Sequence, residues 1–292
     1  MTTHLLEQHP GRQDYSEEAI DYGLTVGGNI VNSDMKTAAD HKAKVLGSII
    51  SSILDNHGPN GKPTDDDAGL EVIGHIVDSL VKTAANHRAQ VGGDIRDSNV
   101  INYGPQGKVY GRLEDSGLDV RGNVRNSNIK TAANHYANVG GNIEDSKVEN
   151  LGEDDYGLTV HGNIRRSKVK TAANHRAVVK GSILDSDVYN YGPNGQYYTV
   201  NPANGLDVRG NIIRSNMKTA ANHEAKVGGD IIDSQLKNIG NDEMDYGLTV
   251  GGSVRGSTMH NAADHDVAVH GNVENSIIHN YGGNQHQHGK WL

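Results

Sequence analysis

The sequence predicts an all-β parallel β-solenoid (β-helix) of about twelve coils in six two-coil repeats. Three observations predict it: one short motif recurs twelve times, its apolar residues alternate, and the chain lacks the large aromatic side chains that fill an ordinary core. The 292 residues include 37 glycines, twelve tyrosines, one tryptophan and no phenylalanine or cysteine, with 35% hydrophobic and 22% charged residues. A chain of this composition must bury its apolar surface through many small aliphatic contacts, and stacked repeats supply them.

The motif reads V-x-G-x-[IV]-x-x-S-x-[aliphatic or Met]. It begins at Val26, Val45, Val72, Val91, Val120, Val139, Val160, Val179, Val208, Val227, Val250 and Val269. The copies pair at a spacing of 19 residues, with longer and variable spacers between pairs. The expected organisation is a leading segment or cap at 1–22, one repeat domain at 23–281 with repeats starting near 23, 69, 117, 157, 205 and 247, and a Gly/His-rich tail at 282–292. Within a copy, Leu24, Val26, Gly28 and Ile30 alternate, and after a two-residue phase break so do Ser33 and Met35. Alternation is the signature of a strand with one buried face. Coils stacked at about 4.8 Å give a rod about 57 Å long.

Each column of equivalent residues has a reading. The motif glycines, Gly28, Gly47, Gly74, Gly93, Gly122, Gly141, Gly162, Gly181, Gly210, Gly229, Gly252 and Gly271, are expected as inward-facing coil corners with backbone angles that a Cβ resists, whereas the adjoining Gly140 is expected to face solvent. Two residues before the valine, Leu24, Leu70, Leu118, Leu158, Leu206 and Leu248 alternate with Ala43, Ala89, Ala137, Ala177 and Ala225, with Val267 in the last coil. Large over small fills a core without phenylalanine. Eleven residues after the valine, Thr37, Asn56, Thr83, Asn102, Thr131, Asn150, Thr171, Asn190, Thr219, Asn238, Asn261 and Asn280 predict a polar hydrogen-bonding ladder. Six residues after it, Asp145, Arg166, Asp185, Arg214 and Asp233 alternate in charge on the outer face. Five residues after it, Val31, Ile50 and Val77, and again Leu184, Ile213 and Ile232, form two apolar stripes suited to lateral contact. The first stripe could equally lie under Leu5, Leu6, Ala19 and Ile20 of the leading segment.

The candidates for chemistry are few. The segment K-T-A-A-[ND]-H aligns His41, His87, His135, His175 and His223, with His265 in a variant of it. Equivalents two coils apart are separated by about 9.6 Å, too far for one metal ion to hold two imidazoles, so a turn is expected there. In the tail, His286 and His288 could bind a divalent ion weakly, but a solvated polar tip is the simpler expectation. No cofactor, no resident metal and no catalytic residues are expected, since no unique cluster of titratable groups breaks the repeat; the chain does not read as an enzyme. Without cysteine there is no disulfide framework or thiolate site. A net charge of −9 with dispersed Lys and Arg argues against nucleic acid as a partner. A small-molecule ligand is not expected. No eighteen-residue apolar run or signal-peptide core is found, so no membrane span is expected, and a cytoplasmic location or export without a cleaved signal peptide follows.

Asn126-Ser127-Asn128-Ile129-Lys130-Thr131 leading to Asn138-Val139-Gly140-Gly141-Asn142, and the ending Asn280-Tyr281-Gly282-Gly283 before Trp291, resemble the fungal HET-s type of amyloid-forming β-solenoid, here in many tandem copies. The resemblance implies an amyloid-like mode of stacking. The residues point the same way on their own. Open solenoid ends expose unpaired N–H and C=O groups, with no charged or proline-rich cap over Val269 to Asn280. Twelve being even, a Leu-type first coil would follow the last coil and continue the alternation. The expected function is therefore a structural, self-assembling subunit of a functional-amyloid-like fibril whose partner is itself, growing by head-to-tail coil stacking. Its expected assembly interface comprises Val26 and Ile30 at one end and Val269, Val273, Ile278 and Asn280 at the other. The alternative is a monomeric β-solenoid that acts as a binding or adhesin-like fibre module, recognising a surface or glycan through inter-repeat loops such as Gly58-Pro59-Asn60-Gly61 and Gly192-Pro193-Asn194-Gly195.

Overall fold

The structure, a computed structural model, describes residues 22–37, 42–56, 70–83, 89–102, 116–131, 136–150, 156–171, 176–190, 206–219, 225–238, 248–261 and 267–280. These form a parallel β-solenoid of three twelve-stranded sheets, and the described residues contain no helix. Each motif copy supplies one strand to each sheet: in the first coil Tyr22–Val26 enters sheet 1, Ile30–Val31 sheet 2 and Asp34–Thr37 sheet 3. Strands follow one another in chain order in every sheet, with like residues in register, as Val26↔Val45, Ile30↔Ile49 and Met35↔Leu54. The 19-residue identity within pairs aligns every column, and the spacers leave that register unchanged, as Val45↔Val72 shows.

The core is a stack of short aliphatic layers, with Val45, Ile49 and Leu54 of the second coil all fully buried. The large-over-small alternation is realised directly: Ala177 lies between Leu158 and Leu206, all three without solvent exposure. Alternation within each strand sets these residues inward and their neighbours outward.

Two corners interrupt the strands, and the structure revises the first. The motif glycines stand at the turn between sheets 1 and 2 rather than on the core face, the ten internal ones half-buried and Gly28 and Gly271 exposed, and none of them has a positive φ. Their constraint is axial. A Cβ on any of the eleven from Gly47 to Gly271 would lie 2.5–2.8 Å from the carbonyl oxygen of the motif glycine in the coil beneath. Gly140 is exposed, as expected, but it has no room for a side chain, because its Cβ would run into the backbone carbonyl of Arg121. The strained angles belong to the second corner, six residues after the valine. There Asn32, Ser51, Asp78, Asp97, Asn126, Asp145, Arg166, Asp185, Arg214, Asp233, Gly256 and Asn275 all take the left-handed conformation, with φ between 45° and 56°. Asn, Asp and Gly tolerate this region best, which explains most of the column and the phase break in the alternation.

Close axial packing at the glycine corner has a measurable consequence. Gly141→Val places its Cβ 2.8 Å from the Gly122 carbonyl oxygen and should cost about 2 kcal/mol or more by overpacking. Gly28→Val, where no atom lies within 4 Å of the new Cβ, should cost less than half as much. Thermal unfolding of the two variants side by side checks this; equal destabilisation would disprove the axial account.

Candidate assembly interface

Coils are joined by more than the sheets. Seven residues after each valine stands a serine, and ten of these, from Ser52 to Ser257, are 2–6% exposed. Each serine hydroxyl donates to the carbonyl two residues earlier at 2.5–2.8 Å, as Ser146 does to Glu144. Each hydroxyl from Ser52 to Ser276 also accepts the serine N–H of the preceding coil at 3.1–3.2 Å. The serine thus satisfies two backbone groups that a corner would leave buried and unpaired.

A second ladder runs in the opposite sense three residues after the valine. There the backbone N–H of each coil donates to the side chain of the coil before it: Ser48 to Asn29, Asn123 to Asp94, Asn163 to Asn142 and so on to Asn272 onto Ser253, at 2.7–3.1 Å. Sequence reasoning assigned neither ladder. The signal was present, since a serine repeated at a core-facing phase, and a column of Asn, Ser, Asp and one His, are acceptors at fixed spacing. The Thr/Asn column does stack in register along sheet 3, from Thr37↔Asn56 to Asn261↔Asn280. In this column buried Asn261 donates through Nδ2 to Asn280 Oδ1 at 3.0 Å.

The two ends differ. Val273 of the last coil is 48% exposed, whereas its first-coil counterpart Ile30 is 3% exposed. Val26, Val269 and Ile278 pack against the core but are only partly buried, and Asn280 is exposed. Ile277, beside Ile278, is 55% exposed. Among the described residues the Val273 N–H makes no hydrogen bond and no strand follows it at the final edge of sheet 2.

On the outer surface, the alternating charges form two bidentate pairs. Arg166 reaches Asp145 at 2.7 and 2.8 Å, and Arg214 reaches Asp185 at 2.6 and 2.9 Å. Hydrogen bonding from the guanidinium holds each of these carboxyls below the usual aspartate range. Because all four groups are solvent-exposed, the pairs set register more than stability. The apolar stripes lie on the outer face of sheet 2: Ile50↔Val77 and Leu184↔Ile213↔Ile232 are stacked neighbours, half-buried, while Val31 stands 46% exposed. Leu46 and Ile73, also exposed, extend the first stripe round the glycine corner, which the motif's variable position concealed.

A polar groove of about 1250 Å³ follows the left-handed corner from Asp78 to Asp233, with the serine ladder in its wall. Asn99, Asn128 and Asn216 line it, and the amide oxygen of each lacks a hydrogen-bond partner. His41, His87, His135, His175, His223, His265, His286 and His288, and the inter-repeat loops, lie outside the described residues. Among the described residues no three His, Asp or Glu side chains are grouped to hold a metal ion.

On the outer face of sheet 3, like charges meet in places, as Lys147↔Lys168 and Lys218↔Lys237, and opposite charges in others. Glu149 lies between Lys130 and Lys170 of the neighbouring coils, 3.9 and 3.8 Å away. At the C-terminal end Lys237 is followed by His260 and His279, whose rings stack with centroids 5.0 Å apart. Burial, then the neighbouring His279 and Lys237, push the His260 imidazole below its ordinary value.

Two outcomes follow for this surface. Changing Leu184, Ile213 and Ile232 to Arg should abolish lateral pairing of filaments and leave the rod folded; unchanged filament width by electron microscopy would refute the stripe's role. The lowered His260 value means that folding favours the neutral ring. Stability of the last coil is therefore full above the unfolded value of about 6.5 and is lost as pH falls through it toward the folded value. Amide exchange over 267–280, corrected for intrinsic chemistry, should accelerate between pH 7.5 and pH 5. The His260→Gln, His279→Gln variant should flatten that dependence, and an undiminished response in it would rule out the imidazole column as the cause.

No protein-family model, no curated protein and no solved structure matches the chain.

Proposed function

We propose that this β-solenoid is a self-assembling structural protein, the subunit of a functional-amyloid-like filament that grows by stacking the end coil of one copy on the end coil of another. The observation that carries the reading is the last coil. Among the described residues no further strand pairs with its edges, and Val273 is 48% exposed on a chain whose other coils bury its equivalents almost completely. An edge of this kind is a template for another strand of the same pattern, and a contact between unlike ends does not close, so it propagates. The resemblance of the coil wording to the HET-s type supports the same assembly mode.

A monomeric glycan-binding or adhesin-like module is the second reading. The polar groove favours it: carboxylates, amides and guanidinium groups along Asp78 to Asp233 suit the hydroxyls of an extended polysaccharide. A concentration series imaged by negative stain separates the two, as filaments support assembly and discrete rods at every concentration support the module.

The open edge can be tested directly. Val273→Pro removes an N–H that bonds nothing within the described chain, and Ile278→Lys adds a charge to the partly buried end layer. The double variant should retain a folded rod by circular dichroism and lose at least tenfold in elongation rate. Normal elongation would exclude this coil from the growing end.

A further inference from the structure

We infer that the second copy docks its first coil on the last coil in unbroken coil register and one polarity, so that both side-chain ladders and the glycine column run through the joint. The inference rests on the end-to-end reading above and specifies its geometry.

The ladders supply the polarity. At all eleven internal steps the backbone N–H of the column that begins with Asn29 donates to the side chain of the preceding coil. Among the described residues the Asn29 N–H has no such coil before it, and the Asn272 side chain, at the other end, receives no such bond. The serine ladder is the converse. Ser276 has an N–H with no following serine to meet, and Ser33 has a hydroxyl that donates to Val31 but accepts nothing among the described residues. Each end therefore lacks the partners that the other end holds. A like-to-like joint would instead bring two Asn272 side chains together and leave both Ser276 N–H groups unmatched.

The glycine column supplies the register. Eleven motif glycines are constrained by the carbonyl of the coil beneath, but nothing lies within 4 Å of a Cβ on Gly28 or on its neighbour Gly27. Among the described residues no contact requires Gly28 to be glycine. A Gly271 carbonyl of a second copy, placed as Gly28 is placed beneath Gly47, supplies the missing constraint. The same step sets the Val269 and Gly271 carbonyls to accept from Gly27 and Gly28, as Val26 and Gly28 accept from Leu46 and Gly47 at 2.9 and 3.1 Å. It also seats Val267, Val269 and Ile278 against Leu24, Val26 and Met35, all six partly buried side chains bordering the core.

The chain has no cysteine, so an engineered disulfide reads the register without background. Val31 and Glu274 are both outward and exposed, in the same column at opposite ends. In-register docking brings their Cα atoms about 4.8 Å apart, inside the disulfide range of about 4.4–6.8 Å. Oxidised filaments of Val31→Cys, Glu274→Cys should give a reducible ladder of covalent multimers on a denaturing gel. A one-residue slip would turn the two cysteines to opposite faces and give monomers. Glu274→Cys alone should stay monomeric, and covalent dimers from it would overturn the polarity. Gly28→Val should lose less than half the thermal stability that Gly141→Val loses yet fail to elongate, and in substoichiometric mixtures should cap the filament end that exposes the first coil. Filaments from the parent without multimers from the double variant, or normal elongation of Gly28→Val, would overturn the joint and leave self-assembly standing. No filaments from the parent at any concentration would bring down the assembly reading itself.

Discussion

The rest of the structure depends on one repeated contact, the axial step from coil to coil. Each step is closed by main-chain bonds in three sheets and by two side-chain acceptors at the corners, with the serine and the Asn-type ladders pointing in opposite directions along the rod. Corners are where a solenoid would otherwise bury unpaired backbone groups, and an unpaired buried group costs as much as several good contacts return. The ladders remove that cost at every coil by the same means. A core of Val, Ile, Leu, Ala and Met suffices because it only has to fill a narrow axial column.

The same step accounts for the glycines. A motif residue positioned with its missing Cβ toward the carbonyl of the coil beneath allows the turn to stack at strand spacing. The left-handed corner adds the second constraint, and Arg166 and Arg214 occupy it despite their side chains while each grips the aspartate of the preceding coil. Strain and ion pair thus sit on one residue, and the outer charge pattern becomes a register device of the corner.

An interaction that repeats identically has no natural end. The first and last coils keep the column chemistry of internal coils, down to Gly28, Asn29, Asn272 and Ser276, and among the described residues no coil stands beyond them. The proposed filament asks for no contact that the chain does not already make eleven times within itself.

How much was legible before the fold was known follows from what a sequence pattern encodes. Period-2 alternation and a constant 19-residue spacing specify strands, inward faces and in-register stacking, so the solenoid, its Leu/Ala layers and the stacking of the Thr/Asn column could be read from residues such as Leu158, Ala177 and Leu206. The outer stripes at Ile50 and Leu184 followed from the same phase. The direction of a corner residue could not. Alternation assigned Gly122 to the core, whereas its missing Cβ faces along the axis toward the preceding coil, and Gly140 is exposed as expected yet has no room for a Cβ beside the Arg121 carbonyl. Nor could the pattern reveal that Ser146 accepts from one coil and donates within its own, or that the Asn142 side chain accepts from the coil after it. Periodicity within one strand carries information perpendicular to the strand, while these contacts lie along the stack, and only the tertiary structure places one coil on the next.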